Sequence, residues 1–246
     1  MAFSAACVLP GTQGLPSFRG AAVAQALPLH ETDTTACAGK PYASNTAMPA
    51  AQSTPYLPAS APRSADVVVY LDLDGVVHHE AVLWHPRIGI HMSPYEAAGH
   101  TLFEWAPLLE AALAPYPAVA LVLSSTWCIR PGYGATLNRL PPSLRSRFIG
   151  GTYHKRVHGA DPWTLSMFRA TPRGVQVMDD VLRRKPRHWI ALDDDLEGWP
   201  DAGRHHVVEC HGATGLSSPK VLREFQERLH RCHERAVSAQ EFVEPE

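Results

Sequence analysis

The stretch that decides the fold is VVVYLDLDGVV, which runs from Val67 to Val77. Its apolar residues predict a buried strand, and Asp72 and Asp74 stand at its end, on one side, because strand side chains alternate with a period of two. Ionised carboxylates that leave water need a cation or a metal ion as partner, so the pair indicates a site. Gly75 permits a sharp turn, which would let the Asp72 carboxylate and the Asp74 carbonyl approach one hard cation.

A simpler interpretation of the same residues is an ordinary Asp-Gly turn after a strand. A calcium-binding EF-hand is excluded, because with Gly75 as its loop glycine the first and twelfth positions would be Tyr70 and Ala81, and neither is a carboxylate. The acid pair therefore needs support from other parts of the chain.

Strand-like and helix-like segments alternate from Asp66 onward, which predicts an α/β fold with a mostly parallel sheet flanked by helices. Residues 78–100 are broken by two prolines and predict loops that form no more than a minimal cap, and a polar loop is expected up to about Asp161. The predicted strands are 67–73, 118–123, 148–149, 189–192 and an edge strand from 207, and the predicted helices are 102–113, a short one after 141, 174–184 and a last one opening at 217–219.

Polar residues follow three of these predicted strands. The first ends in the acid pair, the second in Ser124, and the third in Asp193 and Asp194. Ligands of open α/β sheets bind beyond the carboxyl ends of the strands, and Mg²⁺ prefers carboxylate, water and phosphate oxygens. Because a hydroxyl can donate to a phosphoryl oxygen, this set of side chains predicts phosphoryl transfer.

In their order and strand context, YLDLDGV, LVLSSTW and ALDDD resemble three motifs of the haloacid dehalogenase-like (HAD) phosphohydrolases. The resemblance covers roughly residues 66–235 and implies a Rossmann-like HAD fold over 66–246. SSTW, TPRG, WIALDDD and TGLSSPKVLREF are most similar to the HAD domain of Swiss Army Knife RNA-repair proteins.

The resemblance also implies roles for individual residues. Asp72 would be the nucleophile that forms an aspartyl-phosphate, and Asp74 the general acid and then the base. Ser124 would hold the transferring group. The implied Mg²⁺ ligands are Asp72, the Asp74 carbonyl, Asp193 and Asp194.

The cation that completes such a site is ambiguous in this sequence. Arg173 opens a predicted helix, where an anion is already favoured, and we prefer it to Lys185, which lies just before the third strand. Lys155 and Arg156 stay open as alternatives. Asp195 serves equally well as a turn cap or as a metal ligand.

Three aromatic side chains near the motifs are expected to have structural and not catalytic roles. Trp127 is expected to form a wall beside the site, with stacking on a base as the weaker alternative. His78 and His79 follow the first motif and are expected to be exposed loop histidines, although a flap there could contact substrate.

The charge of the chain is unevenly distributed. The formal net charge is −2, yet residues 130–188 contain twelve Lys or Arg and three acids, which suits either an anionic ligand or a solvated surface. Residues 1–65 hold sixteen Ala, eight Pro and five charged residues, which predicts a disordered leader, with a transit peptide as the weaker alternative. Five scattered cysteines, without a C-x-x-C, favour the reducing cytoplasm over a disulfide framework.

The sequence favours neither a zinc site nor a membrane span. Zinc could be assembled from His and Cys around 205–211 or 230–233, but neither group has the paired spacing of a structural zinc site. No apolar run approaches the roughly twenty residues that would span a membrane.

The sequence therefore predicts a Mg²⁺-dependent phosphohydrolase that acts on a phosphomonoester of a small molecule, a nucleotide or an RNA end. The alternative is a non-catalytic nucleic-acid or nucleotide binding module on the same scaffold. A third hypothesis is a receiver-like phospho-acceptor.

Overall fold

The structure is a computed structural model that describes residues 63–241. Almost all of the predicted leader, residues 1–65, lies outside the described residues, so the leader and the domain boundary at 66 stay predictions. The elements, in chain order, are β1 (Val67–Leu71), β2 (Val82–His85), β3 (Gly89–Met92), α1 (Ala106–Leu113), β4 (Ala120–Leu123), α2 (Tyr133–Leu137), α3 (Pro142–Arg145), β5 (Phe148–Gly151), α4 (Lys155–His158), α5 (Pro162–Ala170), α6 (Arg173–Arg184), β6 (His188–Asp193), α7 (Asp201–Arg204), β7 (Val207–Glu209) and α8 (Pro219–Glu241).

Five strands form one parallel sheet in the order β5-β4-β1-β6-β7. The central strand β1 is buried along its whole length, and Leu71 is in register with Leu123 on one side and Leu192 on the other. The carboxyl ends of β4, β1 and β6 therefore lie side by side. The predicted α/β class, with a mostly parallel sheet and an edge strand from Val207, is confirmed.

Helices cover both faces of this sheet, because alternate residues of a strand face opposite sides. On one face, Val69 and Leu71 join a core that includes Leu109 of α1 and Phe225 of α8. On the other face, Tyr70 belongs to a smaller core with Val177 of α6, Trp189 and Trp199.

The chain between β1 and α1 contains structure that the sequence analysis missed. Strands β2 and β3 pair antiparallel and form a hairpin, whereas loops were predicted. Pro86 lies in the turn between them and not within a strand, so it interrupts nothing. The hairpin is small, which agrees with a minimal cap.

The start of one helix differs from prediction, and another helix was not predicted. Helix α1 begins at Ala106 and not at 102, because Phe103 adopts a left-handed φ of 63° that no α-helix accommodates. Helix α5 was missed, although Asp161 caps it by accepting a hydrogen bond from the Thr164 amide at 2.9 Å and Pro162 occupies its first turn.

Candidate active site

The candidate site lies at the carboxyl edge of the sheet, where three strand ends meet. The Asp72 amide donates to the Leu192 carbonyl at 3.1 Å, and the Ser124 amide donates to the Leu71 carbonyl at 2.8 Å. These two bonds extend the sheet ladder past the strand ends. The polar residues after β1, β4 and β6 are consequently held beside one another by main-chain pairing.

Three carboxylates converge at this edge. Oxygens of Asp72, Asp193 and Asp194 lie within 4.8 Å of one another, and no other group of three metal-ligating side chains is found in residues 63–241. Asp72 and Asp193 are buried, with 7% and 1% exposure. Part of their need for hydrogen bonds is met by main-chain amides, from Leu73 to Asp72 at 2.7 Å and from Asp195 to Asp193 at 3.1 Å.

Burial and mutual repulsion act on the same three acids. Burial, above all, raises the pKa of Asp72, and the nearby Asp74 charge adds to it. Burial followed by the Asp72 charge raises the pKa of Asp193 well above its usual range and that of Asp194 to about 7. A divalent cation would relieve this repulsion, and carboxylate oxygens are the donors that Mg²⁺ prefers. The residues present therefore fit such an ion.

The turn after β1 depends on glycine for two reasons. Gly75 has a φ of 70°, and a Cβ at this position would stand 2.1 Å from the Asp194 Oδ2 atom and 2.4 Å from its Cγ. Side-chain carbons do not approach one another so closely. Only glycine leaves room for the Asp194 carboxylate over the turn.

Arg173 supplies a positive charge to this acidic cluster. Its Nη2 atom lies 3.7 Å from Asp72 Oδ2, and both side chains are largely buried. Burial lowers the pKa of Arg173, but the charges of Asp72 and Asp193 raise it above its usual value, so the guanidinium stays charged. The next residue, Gly174, packs against Trp199, whose ring would be 2.5 Å from a Cβ, and this contact keeps the start of α6 close to the loop that follows β6.

The other candidate cations are not brought to the acids. Lys185 follows the far end of α6, a helix of 12 residues and therefore ~18 Å long. It also precedes β6, at the amino edge of the sheet. Lys155 and Arg156 are exposed on α4 and do not line the site.

The two serines after β4 occupy different positions. Ser125 lines the cavity and its side chain hydrogen-bonds Asp72, which lowers the pKa of that carboxyl. Ser124, the predicted residue, is also buried but does not line the cavity, and its Oγ has no hydrogen-bond partner among the described residues. The structure thus presents Ser125, and Thr126 after it, to the cavity.

Asp74 is held by two side chains that the sequence analysis did not assign to it. His78 Nε2 lies 2.9 Å from Asp74 Oδ1, and the Trp127 indole N–H donates to both carboxylate oxygens, at 3.0 and 3.1 Å. The expectation of exposed histidines was wrong, because His78 and His79 are buried. His78 packs edge-on against Phe103 and tilted against Trp127, and these aromatic contacts account for its burial. The i,i+4 spacing of Asp74 and His78 was the available sequence signal.

Asp195 lies at the rim of the cavity and caps the next turn. Its Oδ1 atom accepts from the Glu197 amide at 2.8 Å, and it is not one of the three clustered acids. Of the two roles that the sequence left open, the geometry supports the turn cap.

The cavity extends well beyond the acids. Its volume is about 790 Å³, and its far wall comes from the hairpin, where Trp84 is 48% exposed and carries the Arg130 guanidinium 4.2 Å above its ring. Arg169 and Phe168 of α5 close another side. One end of the cavity is therefore acidic with a single arginine, and the other is aromatic with further arginines.

Several basic residues of segment 130–188 serve the fold and not the cavity. Arg147 donates to the Tyr116, Val119 and Leu113 carbonyls. Arg183 and Arg184 pair with the buried Asp180, and Arg187 pairs with Asp66. Some basic residues of the segment consequently have partners within the protein and are not available to a ligand.

The comparison with known families covers this same region. Residues 68–221 match the family model described as the HAD domain in Swiss Army Knife RNA repair proteins. No curated protein matches the chain. None of the helices in residues 63–241 is both long and apolar enough to cross a bilayer. The match spans more than half of the chain and includes both strand ends that carry the clustered acids, so the protein belongs to the HAD family of Swiss Army Knife RNA-repair domains.

Proposed function

We propose that this protein is a Mg²⁺-dependent phosphohydrolase that cleaves a phosphomonoester through an aspartyl-phosphate on Asp72. The observation that carries the proposal is the convergence of Asp72, Asp193 and Asp194 beside a buried, charged Arg173. Asp72, Asp193, Asp194 and the Asp74 carbonyl would hold the ion, whose charge would neutralise the phosphoryl oxygens.

In the first step an Asp72 oxygen attacks phosphorus, and the bond from phosphorus to the leaving oxygen breaks. Asp74 gives its proton to that oxygen. In the second step Asp74 takes a proton from water, the water oxygen attacks phosphorus, and the phosphorus–Asp72 bond breaks to release phosphate. Asp72 must be ionised for the first step, which the Arg173 charge favours.

His78 and Trp127 fit this scheme as positioning residues. Both hold the Asp74 carboxylate through hydrogen bonds, and both are buried, so they fix where its oxygens lie. Ser125 rather than Ser124 is the hydroxyl that we propose beside the transferring group, because it reaches Asp72 and lines the cavity. Arg173 rather than Lys185 is the proposed phosphate-stabilising cation.

The shape of the cavity supports a bulky substrate. A phosphoryl group needs only the acidic end, whereas about 790 Å³ and the Trp84–Arg130 pair leave room for a planar ring and a neighbouring phosphate. Family membership points the same way, so we propose a nucleotide or a phosphorylated RNA end as the substrate.

Binding without turnover is the competing function, and the exposed Trp84–Arg130 pair is the feature that would support it. One experiment separates the two. Purified protein is assayed for phosphate release from an aryl phosphate, nucleotides and phosphorylated RNA ends, with Mg²⁺ or with a chelator, beside Asp72→Asn. We expect Mg²⁺-dependent release that Asp72→Asn abolishes. Folded protein that binds RNA and releases no phosphate from any of these substrates would refute the proposed phosphohydrolase activity.

We also propose the reducing cytoplasm as the compartment. The three described cysteines, Cys128, Cys210 and Cys232, are free thiols, and the first two are buried. Such thiols need no oxidising environment.

A further inference from the structure

A second cavity lies at the opposite edge of the sheet from the acids. It has a volume of about 320 Å³ and lies between α8 and the amino ends of β6 and β7. His188 begins β6 and Asp193 ends it, so five steps of ~3.3 Å put ~17 Å between the two regions. The residues that line it are His188, Trp189, Ile190, His205, His206, Arg228, Arg231, Cys232 and Arg235.

The lining is entirely basic or neutral. It contains three arginines and three histidines but no acid. Arg228 is the partly neutralised member, because it donates to Glu224 at 2.6 Å and to the His205 carbonyl at 2.7 Å. Arg231 and Arg235 form no ion pair with any residue in the described range.

These arginines come from one face of one helix. Positions 228, 231 and 235 follow the i, i+3, i+7 spacing that stacks side chains along a helix. Like charges at this spacing repel, and a bound anion would relieve that repulsion. Arginine forks match the oxygens of a phosphate in pairs, better than a lysine does.

The histidine side of the cavity is built rigidly. The His206 ring stacks on Trp189 with 4.0 Å between centroids, its Nδ1 atom lies 3.0 Å from the Trp189 carbonyl, and His205 lies 4.0 Å from it on another side. Burial lowers the pKa of His206 and outweighs the hydrogen bond to the Trp189 carbonyl, which raises it; the charges of His205 and Arg228 lower it further. The His206 ring is therefore held in a fixed position beside the arginines of the cavity.

We propose that this cavity is a second anion site, separate from the acid cluster, that binds a compact phosphate-bearing ligand through Arg228, Arg231 and Arg235. The ligand is either a free oligophosphate or the phosphates of a nucleotide. The site is independent of the proposed hydrolysis, because none of its residues lines the acidic cavity.

The test measures pyrophosphate and ATP binding by calorimetry on the full chain with a chelator present. Arg173→Gln is the starting protein, because it removes the cation of the acid cluster and leaves the second cavity intact. We expect Arg231→Gln in this protein to weaken binding by about tenfold or more. Arg223→Gln is the matched control: it lies on α8, is exposed and lies outside the cavity lining, so we expect binding to stay within about twofold.

Equal losses of pyrophosphate and ATP affinity on Arg231→Gln would assign the site to free oligophosphate, and a larger loss for ATP would assign it to a nucleotide. The proposal is overturned if Arg173→Gln protein binds neither anion, or if Arg223→Gln weakens binding as much as Arg231→Gln does. Arg231→Lys is the second variant: because it keeps the charge and loses the fork, it should retain part of the affinity. Loss of phosphatase activity in the natural chain has no bearing on either result.

Discussion

Gly75→Ala is the most selective perturbation of the acid cluster, because it adds a single methyl group at the turn. An alanine at φ 70° costs ~1–2 kcal/mol in backbone conformation alone. Its Cβ would also stand 2.1 Å from Asp194 Oδ2, so that carboxylate must shift from the position in which it lies near Asp72 and Asp193. The substitution thus combines a conformational cost with the displacement of a proposed metal ligand.

The two effects can be separated with a matched control. Gly99 has a φ of 87°, and a Cβ there would meet nothing within 4 Å. We expect Gly99→Ala to lose a similar ~1–2 kcal/mol of unfolding free energy, whether or not Mg²⁺ is present. Gly75→Ala should lose that amount in chelator and about 1.4 kcal/mol more in saturating Mg²⁺ for each tenfold loss of metal affinity.

Urea denaturation of the natural protein and both variants, followed by circular dichroism in chelator and in Mg²⁺, measures all six free energies of unfolding. Displacement of a single ligand is expected to weaken Mg²⁺ binding ~10–100-fold, and phosphate release should fall with it. If Mg²⁺ stabilises Gly75→Ala as strongly as it stabilises Gly99→Ala, and both hydrolyse substrate equally, then Asp194 takes no part in metal binding and the reasoning fails.

Three further predictions concern pH, the general acid and the substrate. The pKa of Asp194 is about 7 in the folded protein, whereas its ordinary value is 3.8, so between these pH values the folded state binds a proton that the unfolded state does not. The stability of the metal-free protein should therefore fall as pH rises from about 4 to about 7. Melting curves in chelator should show a smaller fall for Asp194→Asn. Trp127→Phe should lower kcat ~10–100-fold with little change in KM, because it removes a donor to Asp74 and keeps an aromatic ring; an unchanged kcat would exclude the positioning role. Trp84→Ala should raise KM for a nucleotide ~5–100-fold but leave an aryl phosphate nearly unaffected, while Tyr95→Ala, exposed outside the cavity, serves as its control; equal KM changes for both substrates would contradict a stacking role.

Much of the fold follows from local sequence. The apolar run of β1 and the short apolar runs of β4 and β6 predict buried parallel strands, and they are buried on both faces. The helical spacing of Val175, Met178, Val181 and Leu182 predicts α6 to within one residue. Such patterns are readable because burial imposes a period on consecutive residues.

The sequence predicted the short elements and the burial of individual side chains less well. The hairpin β2–β3 was missed, since four-residue strands carry too few alternations to stand out beside Pro86. The burial of His78 was missed for a different reason. It results from contacts with Phe103 and Trp127, which lie 25 and 49 positions away in the sequence.

The amino-acid sequence by itself determined the architecture and the chemical nature of the candidate site. The apolar composition of β1 and β6 marks them as buried strands, and the acids stand at the ends of these strands. Only the tertiary structure decided which partners those acids have: Arg173 at Asp72, Ser125 rather than Ser124 in the cavity, and His78 with Trp127 around Asp74. These pairings depend on distances of a few ångströms between segments remote in sequence. Such distances are set by packing, which no local pattern encodes.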